Sequence, residues 1–395
     1  MPDDLDLSGG FDLHLRTRLV GGHGALQQLG EWVRELGGRR VLVVTDPGLV
    51  AAGHAGQARA LIEESGADVS TFDAVHHDPT TEHVDACLDA LREVRPDLLV
   101  AVGGGSSIDT AKGANFLYTN GGAMEDYWGV GKASKPMLPL IAVPTTAGTG
   151  SEVQSFALIE RAADHQKMAC GDSKAAPVLA ILDPDLTRTQ PPFVAACTGL
   201  DALTHAVEAS VTRKRNAVSD LFAGEAFRLA QRHLPRVLAQ RDDAEARAAM
   251  LRAAAFAGIA IEHSMLGAAH SMANPLTARF ELAHGQAVSM MLPHVVRYNA
   301  ADPGARAVYE RLARSTGLCT NGAPEGQCAA LLAAEIERLL DLCGMPGSLA
   351  EFGVSEDALP ELSAQAARQW TAGFNPRKVG EDDFRYLYRS ALEAR

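Results

Sequence analysis

The sequence predicts an α/β domain, with a parallel sheet covered by helices on both faces, followed by an all-helical domain. Two observations carry this. Before about residue 186, short apolar or β-branched runs alternate with helical stretches, the pattern of βαβ units. From Pro191 onward β-like runs nearly vanish, and Ala/Leu-rich stretches are joined at Asp242-Asp243, Asp302-Pro303-Gly304, Ala323-Pro324-Glu325 and Gly344-Met345-Pro346-Gly347. A chain of 395 residues also exceeds one ordinary core. The expected domains are therefore 1–186 and 187–395.

In order, Phe11 to Val20 alternates apolar and polar residues as a strand does, and Gly21-Gly22 ends it. Ala25 to Leu36 reads as an amphipathic helix, Val41 to Val44 as a strand closing on Thr45-Asp46-Pro47. A helix from His54 to Ser65, a strand from Val69 to Phe72, a helix from Thr81 to Val94 and a buried strand from Leu98 to Val102 follow. Leu140 to Val143 and Val178 to Leu182 read as further strands.

The strand at Leu98 runs into Gly103-Gly-Gly-Ser-Ser-Ile-Asp-Thr-Ala-Lys-Gly113. Glycines let the backbone turn sharply and approach a ligand, and Ser106 or Ser107 can cap the helix that begins there. A helix N-terminus at a parallel strand's carboxyl end suits an anion such as a nucleotide pyrophosphate. The run is neither GxGxxG nor a Walker loop. Pro144-Thr-Thr-Ala-Gly-Thr-Gly-Ser-Glu152 is a second such loop, whose Thr145, Thr146 and Thr149 are either phosphate donors or ordinary turn residues. Asp46 stands where a dinucleotide site often places an acid on the adenosine ribose, which favours NAD over NADP; a turn-forming Asp before proline fits the local sequence equally well.

Gly199-Leu-Asp-Ala-Leu-Thr-His-Ala-Val-Glu208 reads as a buried helix with Asp201 and His205 one turn apart on one face. Alone, the pair suits a salt-bridged buried couple better than a metal site. Gly267-Ala-Ala-His-Ser-Met-Ala-Asn-Pro-Leu276, with Ala283-His284-Gly285 after it, changes that balance. One Asp and three His (His205, His270, His284) in small, apolar surroundings make a four-ligand set for a divalent first-row metal.

A formal net charge of -13 argues against nucleic acid or an anionic membrane as partner. No apolar run reaches the length of a membrane span, and the acidic start, Met1 to Asp6, is unlike an export signal. The six cysteines show no CxxC pair and read as reduced, mostly buried thiols, so the expected compartment is the cytoplasm.

Taken together, Gly103–Gly113, Pro144–Glu152, Gly199–Glu208 and the His270…His284 segment resemble the successive motifs of the iron-containing (group III) alcohol dehydrogenases. Met291-Leu-Pro-His-Val295 and Asn375-Pro-Arg377 fit as well, and the likeness is greatest to the lactaldehyde:propanediol oxidoreductase and short-chain alcohol dehydrogenase branch. The resemblance implies an N-terminal nucleotide-binding domain, a helical metal-binding domain and a cleft between them. It implies Fe(II), with Zn possible, on Asp201, His205, His270 and His284. NAD would lie against Gly103, Gly104, Gly105, Ser106 and Asp109, with Thr145, Thr146 and Thr149 on its pyrophosphate and nicotinamide, Lys167 and Leu186 nearby, and Asp46 setting the preference for NAD. It also implies a small alcohol or aldehyde substrate and a homodimer or larger homo-oligomer.

Two departures stand out. Many members carry His four residues after the third ligand; here it is Asn274, on the same helical face as His270, able to hydrogen-bond but not to titrate. Glu262-His263 stands where relatives are commonly apolar, and His263, seven residues before His270, is a candidate to carry the proton instead; a structural pair is the plainer reading. The implied reaction is hydride transfer between an alcohol carbon and the nicotinamide, with a net positive metal site polarising the oxygen. Alternatives are the zinc-dependent sister group, a reductase or transhydrogenase for an acidic substrate anchored by Arg279, and a non-catalytic member that has lost its metal.

Overall fold

A computed structural model of the chain describes residues 13–393. The acidic start, Met1 to Asp6, and the first two residues of the expected strand, Phe11 and Asp12, lie outside the described residues. The chain divides into two compact units, His14–Gln190 and Pro191 onward. The expected boundary near residue 186 falls inside a 3-10 turn, Pro184–Thr189, that stays with the first unit.

The first unit holds β1 (Arg18–Gly21), α1 (Leu29–Glu35), β2 (Arg40–Val44), α2 (Pro47–Ala51), α3 (His54–Glu64), β3 (Asp68–Phe72), α4 (Thr81–Val94), β4 (Leu98–Gly103) and α5 (Gly105–Asn120). β5 (Gly129–Val130), β6 (Leu140–Pro144), β7 (Phe156–Glu160), β8 (Lys167–Gly171) and β9 (Leu179–Leu182) complete it. Six strands form one sheet in the order β1-β9-β6-β4-β2-β3, every pairing parallel. β4 is buried throughout and β2 in all but its first residue, which is why they read as continuous Val/Leu runs. Leu26, Leu29, Val33, Ala58 and Ile62 from one helical layer pack on Val41, Val43, Val100 and Ile141 of the sheet.

The sequence missed a small second sheet, β5-β8-β7, in which β7 and β8 run antiparallel. Its strand β8, Lys-Met-Ala-Cys-Gly, has no β-branched residue and so no local signal. The first strand is also shorter than expected, because only Arg18–Gly21 pairs with β9.

The second unit is helical: α6 (Pro192–Ala209), α7 (Ala217–Ala239), α8 (Ala244–His263), α9 (Ala268–Phe280), α10 (His284–Asn299), α11 (Pro303–Ser315), α12 (Gln327–Leu342), α13 (Leu359–Ala367) and α14 (Glu381–Leu392). α6, α8 and α9 are rich in small residues, and the helices of this unit pack at short range. At Gly285 of α10 the approach is so close that a Cβ would collide with the Cys197 carbonyl oxygen of α6. Cys319 and Cys328 are joined as a disulfide, so the expectation of six reduced thiols does not hold for this pair, which the chain brings together across the α11–α12 connection. The other four are free, and burial pushes the thiols of Cys87, Cys170 and Cys197 up to about 12. Among the described residues no single helix is long and apolar enough to cross a membrane.

Candidate functional site

The functional residues fall into two groups, one in each unit. In the first unit the chain passes from β2 outward to β3 and then returns to β4 on the other side of β2. The carboxyl ends of β2 and β4 are therefore a topological switch point, the usual ligand position in such sheets. Val44 of β2 pairs with Ala101 of β4, which brings Asp46 and Gly103 to this same edge.

Gly103 ends β4, Gly104 is the N-cap of α5 and Gly105 its first residue. The expected caps, Ser106 and Ser107, already lie inside the helix, and no side chain caps its first turn. Its first amides therefore take no cap from the N-cap residue, a glycine. The glycines are needed because two loops abut: a Cβ on Gly105 would lie 2.7 Å from Thr149 Cγ2, and one on Gly104 3.1 Å from Thr146 Oγ1. Thr145 is tied in by its amide, which donates to the Gly103 carbonyl at 3.0 Å. Thr149 Oγ1 accepts from the Ser151 amide at 3.2 Å.

Asp109 does not line an open surface. Its carboxylate accepts from Ser151 Oγ and from the Leu158 amide, and lies 3.6 Å from Lys112 Nζ. Lys112, fully buried and without a role in the sequence reading, donates to Ser151 O at 2.7 Å, Ser151 Oγ at 2.8 Å and Phe156 O at 2.8 Å. Asp109 and Lys112 thus brace the second loop against α5. Burial raises the Asp109 carboxyl above its ordinary range despite Lys112 beside it. Glu152, in the same loop, is pushed up to about 7 by burial.

Asp46 caps α2, with Oδ1 accepting from the Leu49 amide at 3.1 Å. Lys167 Nζ lies 3.2 Å from Asp78 Oδ1 and 3.9 Å from Glu160 Oε1. Burial pulls its pKa down, but the two carboxylates outweigh that and hold it above the ordinary lysine value. Leu186 is buried and packs into the hydrophobic core of the first unit.

In the second unit, Asp201 and His205 lie on α6, His270 on α9 and His284 at the first position of α10. Ligand atoms of Asp201, His270 and His284 all lie within 4.8 Å of one another. Asp201 Oδ1 is 3.3 Å from His205 Nε2, 3.8 Å from His270 Nε2 and 3.9 Å from His284 Nε2. The rings of His205 and His270 stack with centroids 4.8 Å apart. His270 Nε2 is buried without a hydrogen-bond partner, whereas its Nδ1 is held by Glu208 Oε2 at 2.5 Å. An imidazole nitrogen buried and aimed at a carboxylate and two further imidazoles fits a divalent cation.

Sequence reasoning assigned no role to Glu208. The available signal was its spacing, seven residues after Asp201 and three after His205, which keeps it on the same face.

The two departures come out differently. His263 ends α8, and α9 leaves it at 108° after the break at Ser264–Gly267. His263 and His270 therefore do not share one helical face, and the bend leaves His263 as proton carrier resting on its nearness in sequence alone. Asn274 donates its amide hydrogen to Gln369 Oε1 at 3.0 Å. Arg279, the anchor considered for an acidic substrate, is a surface group paired with Glu361.

Comparison with known proteins agrees with both halves. Residues 16–184 match the family described as iron-containing alcohol dehydrogenase, and residues 195–392 match the C-terminal part of the Fe-containing alcohol dehydrogenase family. The chain is 35% identical over 94% of its length to the NAD-dependent methanol dehydrogenase of Bacillus methanolicus, covering 97% of that protein. It is 36% identical, over 94% of its length and 96% of the other, to the 1,3-propanediol dehydrogenase of Klebsiella pneumoniae. A crystal structure of 1,3-propanediol oxidoreductase superposes with a TM-score of 0.93 at 34% identity, covering 97% of this chain and 100% of that one. With its α/β unit, its helical unit and the buried Asp201–histidine cluster all accounted for, the chain belongs to the iron-containing alcohol dehydrogenase family.

Proposed function

We propose that this chain transfers hydride between NAD(H) and a primary alcohol or its aldehyde, assisted by one divalent metal, iron(II) by family. The observation that carries the reading is the convergence of Asp201, His270 and His284 ligand atoms within 4.8 Å in a buried setting, with His205 beside the same Asp201 oxygen. Asp201, His205, His270 and His284 would hold the metal, which when bound supplies Lewis acidity to the oxygen of the alcohol or aldehyde. NAD supplies the hydride chemistry at its nicotinamide.

The chain's own residues bind and orient. The uncapped first turn of α5 offers amides to the cofactor's pyrophosphate, and Gly103, Gly104 and Gly105 let that backbone come close. Ser106, Thr145, Thr146 and Thr149 stand at the same edge as hydroxyl donors. Asp109 acts through Ser151, holding the second loop in place. Asp46 has its second carboxylate oxygen available for a ribose hydroxyl while the first caps α2. The buried thiols stay protonated at neutral pH and contribute no nucleophile.

A neutral substrate suits the site better than an acidic one. The net positive site expected from Asp201 as its one carboxylate is reduced by Glu208, a second buried carboxylate behind His270, and so offers less to an anionic substrate. Arg279, the candidate anchor for such a substrate, is paired with Glu361. Family resemblance further supports a homo-oligomer and a cytoplasmic setting, which light scattering and cell fractionation would test.

The test is NADH oxidation with a panel of short aldehydes, using protein purified anaerobically, before and after Fe(II) loading and with a chelated control. Turnover should depend on iron. Asp201→Ala and His270→Ala should each lose metal and turnover while NADH binding, followed by its fluorescence, persists. Full metal stoichiometry in both variants would sink the ligand assignment.

A further inference from the structure

Helix α9 carries His270 as its third residue, yet it has no side-chain cap from its own N-cap residue. Its first amides are satisfied from far away in the chain. Ala269 N donates to Glu208 Oε1 at 2.7 Å, and Ala268 N donates to Asn375 Oδ1 at 3.3 Å. Asn375 is fixed in turn by Asn299, whose side chain exchanges two hydrogen bonds with it at 2.8 and 3.1 Å. Gly267 makes room for both acceptors: a Cβ there would lie 3.0 Å from Asn375 Oδ1 and 3.1 Å from Glu208 Oε1.

The second oxygen of Glu208 faces His270 Nδ1 at 2.5 Å, with both groups almost fully buried. An ionised carboxylate only accepts, so the proton between them sits on Nδ1. In a neutral imidazole that leaves the lone pair on Nε2, the atom that faces Asp201 Oδ1 and has no hydrogen-bond partner. Ligating histidines commonly have their other nitrogen held in this way, which fixes both tautomer and ring orientation.

We infer that Glu208 is a positioning residue for the metal. One oxygen selects the His270 tautomer that can ligate through Nε2, and the other anchors the helix turn that carries the ring. This rests on the metal-binding reading above.

Glu208→Gln separates the inference from simple helix capping. The amide keeps an oxygen for Ala269 N but turns an N–H toward His270 Nδ1. Nδ1 must then accept, and the proton moves to Nε2, where it blocks ligation. Full-length metal-free wild type, Glu208→Gln, Glu208→Asp and Asp201→Ala would be titrated anaerobically with Co(II) as probe, and their thermal unfolding compared. Glu208→Gln should bind about 10- to 100-fold more weakly, the range seen when such partners are lost, with the metal-free midpoint nearly unchanged. Glu208→Asp should fall between it and wild type. Nitrogen NMR of the His270 ring should show Nδ1–H in wild type and Nε2–H in Glu208→Gln.

Co(II) affinity of Glu208→Gln within about twofold of wild type would overturn the inference, since loss of such a partner costs more than that. So would a weakened affinity matched by an equal fall in the metal-free midpoint, which marks a structural cap only. Wild type binding Co(II) no better than Asp201→Ala would instead end the metal reading, and Glu208's role with it. Should Glu208→Gln not fold, the wild-type spectrum decides, since an Nε2-protonated His270 contradicts the mechanism.

Discussion

Asp46 shows how one carboxylate can serve the fold and still be a candidate for a ligand. Its Oδ1 caps α2, so the turn-forming reading of the sequence describes what the residue does locally, and the ribose role proposed above would fall to its other oxygen. Asp46→Gly should cost only a few tenths of a kcal/mol in capping, because glycine is itself a fair N-cap. It should relax discrimination against NADP, read as the ratio of kcat/KM for NADH and NADPH; an unchanged ratio would remove Asp46 from that role. Residues legible in the sequence are those with local spacing, such as Asp201 and His205 four apart. Glu208 shares their helical face by spacing, but its role is not legible because its partner His270 lies 62 residues away. His263 and His270 lie on separate helices, although the two helical runs read as one in the sequence. Ser264–Gly267 carries the clue, since glycine lowers helix propensity, but the 108° turn depends on packing that no local pattern reports.

At the scale of elements, one close approach in the second unit is telling. α10 begins at His284 and presses Gly285 against the backbone of α6 at Cys197, one turn before Asp201. Backbone cannot yield as a flexible side chain can. Gly285→Ala should therefore push α10 away, destabilise the protein by about 1–3 kcal/mol as overpacking does, and weaken metal binding by moving His284. A variant with wild-type melting temperature and metal affinity would show that the helices can slide apart freely. Helix identities are legible because α7, α8 and α12 are long, and the central parallel strands β4, β6 and β9 because they are apolar throughout. The β7–β8 hairpin is not, since its turn closes through His165 at a φ of 54° and one arm lacks β-branched residues.

For the whole molecule, the buried acid in the glycine-rich loop links stability to pH. Glu152 is raised to about 7 by burial, from an ordinary value of 4.5. The folded state therefore holds a proton that the unfolded chain releases first, and stability falls as pH rises from 4.5 to about 7, then levels. A tenfold change in proton affinity corresponds to about 1.4 kcal/mol, so the whole effect is a few kcal/mol. Thermal unfolding of metal-free protein should show Glu152→Gln gaining on wild type across that window; a gap between the two that is the same at either end of it would contradict this. The borrowed caps of α9 have a consequence of another kind. The ribosome releases Asp201, His205, His270 and His284 well before Asn375, which lies 107 residues beyond the Ala268 amide it receives. During synthesis all four of these side chains have thus emerged while the first turn of α9, which carries His270, still waits for one of its acceptors.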